Sequence, residues 1–532
     1  MGPAVAPSLT PRRPWLEWTL VTLAAVCLAG VVTWAGDADL RGDQHAYNLL
    51  VARLLDPAVL ARDALYRHDP DQLHVPWFLH LHAALARRLD GDVERALAWL
   101  TWPMGVLYLV AHYALFRAVS GSATAAGLAA VGALTVRHAL GGDLWGFDGV
   151  RSAATRSILA GLVPLLLLFV AWRSRRGFPV FFLLLGALFN VHPVTAYQLA
   201  EGTALAHVAL ARLQPRAVGQ VLAGIALFCV GAAPYLVPFL GARDSATDAA
   251  TLTAARQALD YRFAYLLYPQ TVNAVASVAF HAALPVLAWL TWRRRVPERL
   301  RRPLEAFAIA AIVAGLLGTA ASQAVGLWRD RPYPDIQQLR ALRLAYPVLL
   351  CGLAAGYATL LACRSPRALA AVAALFVASL VPPHEVIHAV SPERREAVKA
   401  WLGATSPKRV AAASSRAALA AWAVASTPPD ALFFTDDFEF RVRTRRAITG
   451  SFKDGALFFL LGDRPFVAWY RATREVEACR ARHGRDCWFA LARRAEADYA
   501  LVGPGLTEAG TPPDFDKVFE GGGWSAWRRR SA

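Results

Sequence analysis

Charge is scarce in this chain. Only 18% of its 532 residues are Asp, Glu, Lys or Arg, while 56% are hydrophobic. Soluble domains carry about 25% charged and roughly 45–50% apolar residues, so an ordinary soluble enzyme is excluded. Acidic residues are the scarcer kind, and the formal net charge is +17. In a soluble chain that excess would point to nucleic acid. Here it is accounted for by arginine between apolar runs, and no nucleic-acid partner is expected. Cysteine is sparse and no C-x-x-C spacing occurs. Cys27, Cys229, Cys351 and Cys363 sit in apolar runs as small core residues. Cys479 and Cys487 lie in a polar stretch and read either as a disulfide of an oxidising compartment or as two free thiols. No internal repeat and no low-complexity tract is visible. The apolar run after Arg12-Arg13 is too long for a signal peptide and has no clear cleavage site, so it reads as an uncleaved anchor.

Long apolar runs are what the chain has in abundance. About eleven read as membrane spans of roughly 20 residues: near 15–36, 94–117, 122–140, 153–172, 178–191, 194–212, 217–240, 268–292, 304–328, 342–363 and 367–382. With the N-terminus in the cytoplasm, the inside breaks carry Arg12/Arg13, Arg117, Arg173/Arg175/Arg176, Arg212/Arg216, the Arg293–Arg302 cluster and Arg364/Arg367. Every inside break is then basic, as the positive-inside rule requires. The segment 178–212 is the weak point. Its first half is short, it meets the second at His192-Pro193, and a single kinked span there would invert everything downstream. A Pro-interrupted short helix also lines cavities in membrane proteins.

These runs divide the chain into a membrane region, 1–383, and a polar region, 384–532. The first outer loop, 37–93, is long. Tyr47, Leu50, Val51, Leu54 and Leu55 form one helical stripe, and Phe78, Leu81, Leu85 and Leu89 with Trp77 beside them form another. Two amphipathic helices follow, either lying on the outer interface or packed on the protein itself. In the polar region, 431–435 and 497–502 read as buried strands and 467–491 as largely helical. The fold class is an all-α polytopic membrane domain with a small C-terminal α/β domain on the periplasmic side.

Several polar residues at the outer face call for an explanation. The run Asp37-Ala38-Asp39-Leu40-Arg41-Gly42-Asp43-Gln44-His45 leaves the first span. Three carboxylates at a membrane exit suit a cation, since hard metals take oxygen ligands; alternatively Asp43 reads as the N-cap of a helix starting near Gln44 or as a general base, its fixed position favouring it over Asp37 and Asp39, which read as solvated. The loop 141–152 offers Asp143, Asp148 and Arg151, with Arg156 one turn into the next span, either snorkelling, paired with Asp148, or touching substrate. His192 is either a satisfied core histidine or a functional one beside carbonyls freed by Pro193. Glu201, within a span, requires a partner or a cavity. Arg329, Arg331, Arg340 and Arg343 lie outside, against the positive-inside trend. Arg340 and Arg343, three apart on one helix face, suit either a phosphate or lipid headgroups and Asp335. Arg441, Arg443, Arg445, Arg446 and Lys453 read as a basic surface patch.

With Asp43-Gln44-His45-Ala46-Tyr47 after the first span, Gln337-Gln338-Leu339-Arg340 in a late outer loop, and Phe440–Lys453 followed by Trp469-Tyr470-Arg471 in the C-terminal region, the whole chain resembles the GT-C superfamily of integral-membrane glycosyltransferases. No Trp-Trp-Asp signature appears, which sets the oligosaccharyltransferase branch aside. The resemblance implies a GT-C-like fold in the bacterial inner membrane, a polyprenyl-phosphate-linked sugar donor, a lipid or glycan acceptor, and contact with membrane lipids. It implies Asp43 and His192 as catalytic residues, and Asp39, His45, Asp148, Arg151, Arg329, Arg331, Gln337, Arg340 and Arg343 as substrate-binding. No cofactor is required and no metal ligand is assigned, although some branches of the family use a divalent metal. The alternative function is a polytopic transporter or lipid flippase.

Overall fold

The computed structural model describes residues 14–34, 43–135, 153–172, 177–242, 248–267, 272–329, 338–380, 407–482, 485–504, 506 and 512–530. Helices stand where the apolar runs were read. They are α1 (Pro14–Trp34), α2 (Gln44–Leu55), α3 (Pro76–Arg88), α4 (Val93–Ser120), α5 (Ala123–Gly132), α6 (Thr155–Trp172), α7 (Phe178–Phe189), α8 (Pro193–Leu210), α9 (Pro215–Ala242), α10 (Ala249–Leu267), α11 (Val272–Trp292), α12 (Glu298–Arg329), α13 (Tyr346–Ala362) and α14 (Pro366–Leu380), with a 3-10 segment Gln338–Ala345 before α13. Helix α10 falls in a stretch where no element was expected. Among the described residues, 5 helices are by length and composition apolar enough to cross a membrane: the stretches Pro14–Val31, Val93–Ser120, Pro215–Gly241, Glu298–Ala321 and Arg340–Ala362.

The 178–212 segment is a hairpin of two helices. Phe178, at the start of α7, stacks on His207 near the end of α8, with ring centroids 4.0 Å apart. The helices therefore run back to back and His192 sits at their tip. Asn190, just before the tip, splices into α9. Its Nδ2 donates to the Gly231 carbonyl (2.8 Å) and its Oδ1 accepts from the Tyr235 amide (2.9 Å). In an unbroken helix those two backbone groups would bond each other; here Pro234 interrupts the stretch and a side-chain amide satisfies both ends. The approach requires glycine, because a Cβ on Gly231 would lie 2.5 Å from the Leu183 carbonyl oxygen.

Phe116, Phe178, Phe182, Phe307 and Tyr357 belong to the core of the bundle. A second apolar cluster joins Tyr47, Leu50 and Val51 of α2 and Phe78 of α3 to Phe438, Phe458, Phe466 and Trp469 of the C-terminal region. Helices α2 and α3 thus pack on the protein. The inward face of α3 is Phe78, Leu79, His82, Ala83 and Ala86, while Trp77 and Leu81 are exposed. The stripe expected through Leu81 is rotated, because His82 turns inward and a ring nitrogen meets the Val93 carbonyl at 2.7 Å.

The C-terminal region continues with α15 (Pro407–Ser426), α16 (Phe438–Thr444), α17 (Gly455–Leu461), α18 (Asp463–Ala481) and α19 (Arg485–Arg494) around a 5-stranded sheet. Its strands are β1 (Leu432–Phe434), β2 (Ala447–Ile448), β3 (Tyr499–Val502), β4 (Phe515–Gly521) and β5 (Trp524–Arg529), in the spatial order β2-β1-β3-β5-β4. The two strands read from sequence pair in parallel, Phe433 opposite Tyr499, and both are buried throughout, as central parallel strands are. Leu419 and Ala423 of α15 cover one face, Trp488 and Phe489 of α19 the other. Cys479 and Cys487 are joined as a disulfide with a Cα–Cα separation of 5.9 Å.

An ionic cluster fixes this region to the segment between α2 and α3. Arg441, with a side chain 0% exposed, donates to both oxygens of Asp454 at 2.8 and 2.7 Å, and its Nε lies 3.1 Å from Asp63 Oδ2. Asp63 in turn accepts from the backbone amides of Leu65, Tyr66 and Ile448. Arg446 is also buried and donates to the Thr427 carbonyl at 2.9 Å. The expected surface patch is therefore corrected at Arg441 and Arg446. A guanidinium withdrawn from water needs anionic or carbonyl partners, and long-range packing supplies them.

Candidate functional site

A cavity of about 540 Å³ lies where α2, α6, the α7–α8 tip, the 3-10 segment and the C-terminal region meet, and Asp43, Arg156, His192 and Arg340 line it together. These residues come from four separate stretches of sequence. Asp43 stands at the N-cap position of α2 but makes no capping bond. Its carboxylate instead pairs with the Arg156 guanidinium, 113 residues along the chain. An N-cap contributes about 1 kcal/mol to a helix, and α2 forgoes it. The Asp43 side chain is 51% exposed, yet it faces a walled cavity rather than open solvent, so it is accessible and desolvated at once. Burial pushes its carboxyl up, but the charges of Arg156 and Arg340, joined at acid pH by that of His74, outweigh burial and hold it below its ordinary value. Burial brings His74 itself down to about 4, so at neutral pH His74 is uncharged and the two guanidinium groups do the holding.

His192 caps α8, its Nδ1 accepting from the Thr195 amide at 3.2 Å. In the neutral ring Nε2 then carries the hydrogen. The 3-10 segment reaches the cavity because Gly318 of α12 leaves room: a Cβ there would lie 2.9 Å from the Gln338 side chain. Arg340, 8% exposed, borders the cavity. Arg343 does not. It is one 3-10 turn further along the chain and donates to Thr195 Oγ1 at 2.6 Å. The expected joint grip of Arg340 and Arg343 on one phosphate is corrected accordingly: Arg343 braces the first turn of the helix that His192 caps. His45 likewise stays out of the cavity lining and packs edge-on against Phe438, centroids 5.7 Å apart. Asp39, Asp148, Arg151, Arg331 and Gln337 lie outside the described residues, and Arg329 is described only as the last residue of α12.

Of the other lining residues, Arg156 is one whose sequence leaves open snorkelling, pairing with Asp148 or touching substrate, while His74, Arg262 and Lys453 are assigned to no site by the sequence. Like Arg340, Arg156 is an arginine at the end of an apolar run. His74 stacks on Tyr47 with centroids 4.8 Å apart, and its Nε2 is buried without a hydrogen-bond partner among the described residues; nothing in its sequence surroundings marks it. Arg262 lies over the Phe452 ring at 5.0 Å, and Lys453 over the Phe438 ring at 4.8 Å. The lining thus has the cations Arg156, Arg262, Arg340 and Lys453 against the carboxylates Asp43 and Asp454, and Asp454 is committed to Arg441. Such a chamber attracts an anion. Among the described residues no group of His, Cys, Asp or Glu is arranged to hold a metal ion.

No family model matches the chain, and no curated protein matches it. Among solved structures it is similar to ArnT from Cupriavidus metallidurans in the apo state, with 13% identity, a TM-score of 0.50, and 97% of this chain and 98% of that chain covered. At that identity the likeness is one of fold. It takes in nearly the whole length of both chains.

Proposed function

We propose that this chain is a multi-pass glycosyltransferase of the bacterial inner membrane that moves a sugar from a polyprenyl-phosphate donor to an acceptor at the outer face. The observation that carries the reading is the single cavity shared by Asp43, His192 and Arg340, with its excess of cations. The N-terminus is cytoplasmic and the C-terminal region periplasmic. The basic inside breaks support this orientation, as does the disulfide, which belongs to an oxidising compartment. All the apolar runs cross, α7 and α8 as a hairpin within the bundle.

The donor phosphate lies against Arg340 and Arg156, with Lys453 and Arg262 on the far wall. Binding it draws guanidinium charge away from Asp43, whose carboxylate becomes a better base as the donor arrives. Asp43 then takes the proton of an acceptor hydroxyl. The hydroxyl oxygen bonds to the anomeric carbon from the side opposite the phosphate. The bond from that carbon to the phosphate oxygen breaks, and its electron pair stays on the departing carrier phosphate, neutralised by Arg340. The sugar is inverted. His192 donates from Nε2 rather than acting as a base, since Nδ1 serves the cap. The test is transfer of radiolabelled sugar in membranes supplied with polyprenyl-phosphate sugar. Asp43→Asn is expected to lower it by about 10²–10⁴-fold with expression and insertion unchanged. Full activity in that variant removes Asp43 from the mechanism. Lipid movement without sugar transfer in the wild type would favour a flippase instead.

A further inference from the structure

The short turn Ser451–Asp454 stands between cavities. Lys453 and Asp454 line the Asp43 chamber, while Ser451, Phe452 and Lys453 line a neighbouring cavity of about 390 Å³. The turn is held at its first residue: the Ser451 amide donates to Asp454 Oδ2 at 2.8 Å, and Trp469 Nε1 donates to the Ser451 carbonyl at 2.8 Å. Phe438 also borders both cavities. A ligand held in the smaller cavity therefore has the Asp43 chamber as its neighbour.

The smaller cavity sits at a chemically telling place in the sheet. Asp436 and Asp437 follow β1, and Gly503 and Pro504 follow β3. Strand β1 is flanked by β2 on one side and β3 on the other, both parallel to it. The chain leaves β1 in one direction and returns on the other, and ligands of parallel α/β sheets bind in the crevice outside the carboxyl ends of strands at that reversal. The charges here are balanced, in contrast to the Asp43 chamber: Asp436, Asp437 and Glu439 against Arg416, Arg480 and Lys453. Arg480 donates to Asp436 at 2.5 Å and Arg416 to Glu439 at 2.7 Å. A free anion or cation would have to break these pairs. A neutral polyol would not. Carboxylate oxygens accept its hydroxyl protons, guanidinium N–H groups donate to its oxygens, and the Trp524 and Phe438 rings offer apolar surface to its C–H face. Gly503 makes room for that indole, since a Cβ there would lie 2.9 Å from it. Arg480 is pre-positioned, next to the Cys479–Cys487 disulfide and 5.3 Å over the Trp488 ring.

We propose that this cavity is the acceptor subsite and binds a neutral saccharide whose free hydroxyl reaches past Lys453 and Phe438 toward Asp43. Its role in the reaction rests on the glycosyl-transfer reading; saccharide binding as such does not. The test uses the full chain in detergent and the methyl glycosides of glucose, galactose and N-acetylglucosamine as probes, with saturation-transfer NMR as the readout. At least one probe is expected to bind saturably. Asp436→Asn and Arg480→Gln are expected to weaken it by about tenfold or more, a loss of 1.4 kcal/mol or more, and Trp524→Phe to weaken it less. Arg443→Gln, at an exposed position outside the cavity, leaves binding intact. Absence of saturable binding by every probe overturns the proposal, as does binding that survives Asp436→Asn and Arg480→Gln in folded protein but is lost in Arg340→Gln. The two readings fail separately. Sugar transfer that ignores Asp43, alongside saccharide binding that follows Asp436, sinks the transferase and keeps the subsite. Transfer that needs Asp43 but shows an acceptor KM indifferent to Asp436 and Arg480 sinks the subsite alone.

Discussion

The segments 338–345 and 438–446 both place arginines in pairs against an apolar background, and they use them in opposite ways. Arg340 borders a cavity that an anion can enter, and its charge is felt at Asp43. Arg441 is sealed away, gripping both oxygens of Asp454 with Asp63 beside its Nε. A further arginine in each segment is also spent inside the protein, Arg343 on Thr195 and Arg446 on Thr427 and its neighbours. Spacing alone made the first segment look like a phosphate grip and the second like a surface patch. What separates them is that packing seals Arg441 between two carboxylates, while Arg340 borders a chamber. A buried pair holds two parts of the protein together; a guanidinium at a cavity wall borders space that a ligand can enter.

That contrast can be broken by substitution. The largest effect is expected for Arg441→Met, which strands Asp63 and Asp454 without their cation. Removing one partner of a buried pair costs about 3–5 kcal/mol, read as a lower thermal midpoint and as proteolysis between the outer loop and the sheet. An unchanged midpoint would mean that the clasp does not hold the C-terminal region in place. Arg340→Gln is expected to leave the midpoint alone and to raise the donor KM by about tenfold or more, since a hydrogen bond to a charged group contributes roughly 1.5–3 kcal/mol. Arg340→Lys should recover only part of this, a point charge replacing a fork. Equal behaviour of Arg340 and Arg441 in both assays would erase the distinction.

Arg156→Gln sharpens the comparison through pH. Asp43 is held below its ordinary value of 3.8, so the ion pair stabilises the fold above that value and is lost as pH falls through the lowered one. Wild-type sugar transfer therefore has no acid limb from Asp43 in the neutral range. Without Arg156, burial, the largest influence and one that raises the value, is opposed less, and the acid limb moves to higher pH. A pH–rate profile that stays put would uncouple Arg156 from the base. The smallest change is expected for Arg343→Gln. Loosening this brace near His192, a charged-group hydrogen bond that contributes roughly 1.5–3 kcal/mol to stability, lowers kcat only a few-fold and leaves donor KM unchanged.

Much of the architecture was legible because its signals are local. Apolar runs became helices, and Leu432–Phe434 and Tyr499–Val502 became strands, since continuous burial needs continuous hydrophobicity. Strands β4 and β5 escaped notice; β4 is only partly buried over most of its length. The face of α3 was misjudged because hydrophobicity could not reveal that His82 finds a carbonyl inside. At the site, Asp43, His192 and Arg340 stood out as polar residues at the ends of apolar runs. Arg156 was open to a substrate contact among other readings, His74, Arg262 and Lys453 did not stand out as members of the site, and Arg343 lies outside the cavity lining.

The sequence by itself determined the helical bundle, the order of its elements and the α/β character of the C-terminal region, because hydrophobic periodicity acts over a few residues. Only the tertiary structure decided which charges meet. Asp43 and Arg156 are 113 residues apart, and Asp63 and the Ile448 amide 385. A charge buried in protein is tolerated only beside a partner, and the partner is found by the fold rather than by the neighbouring chain.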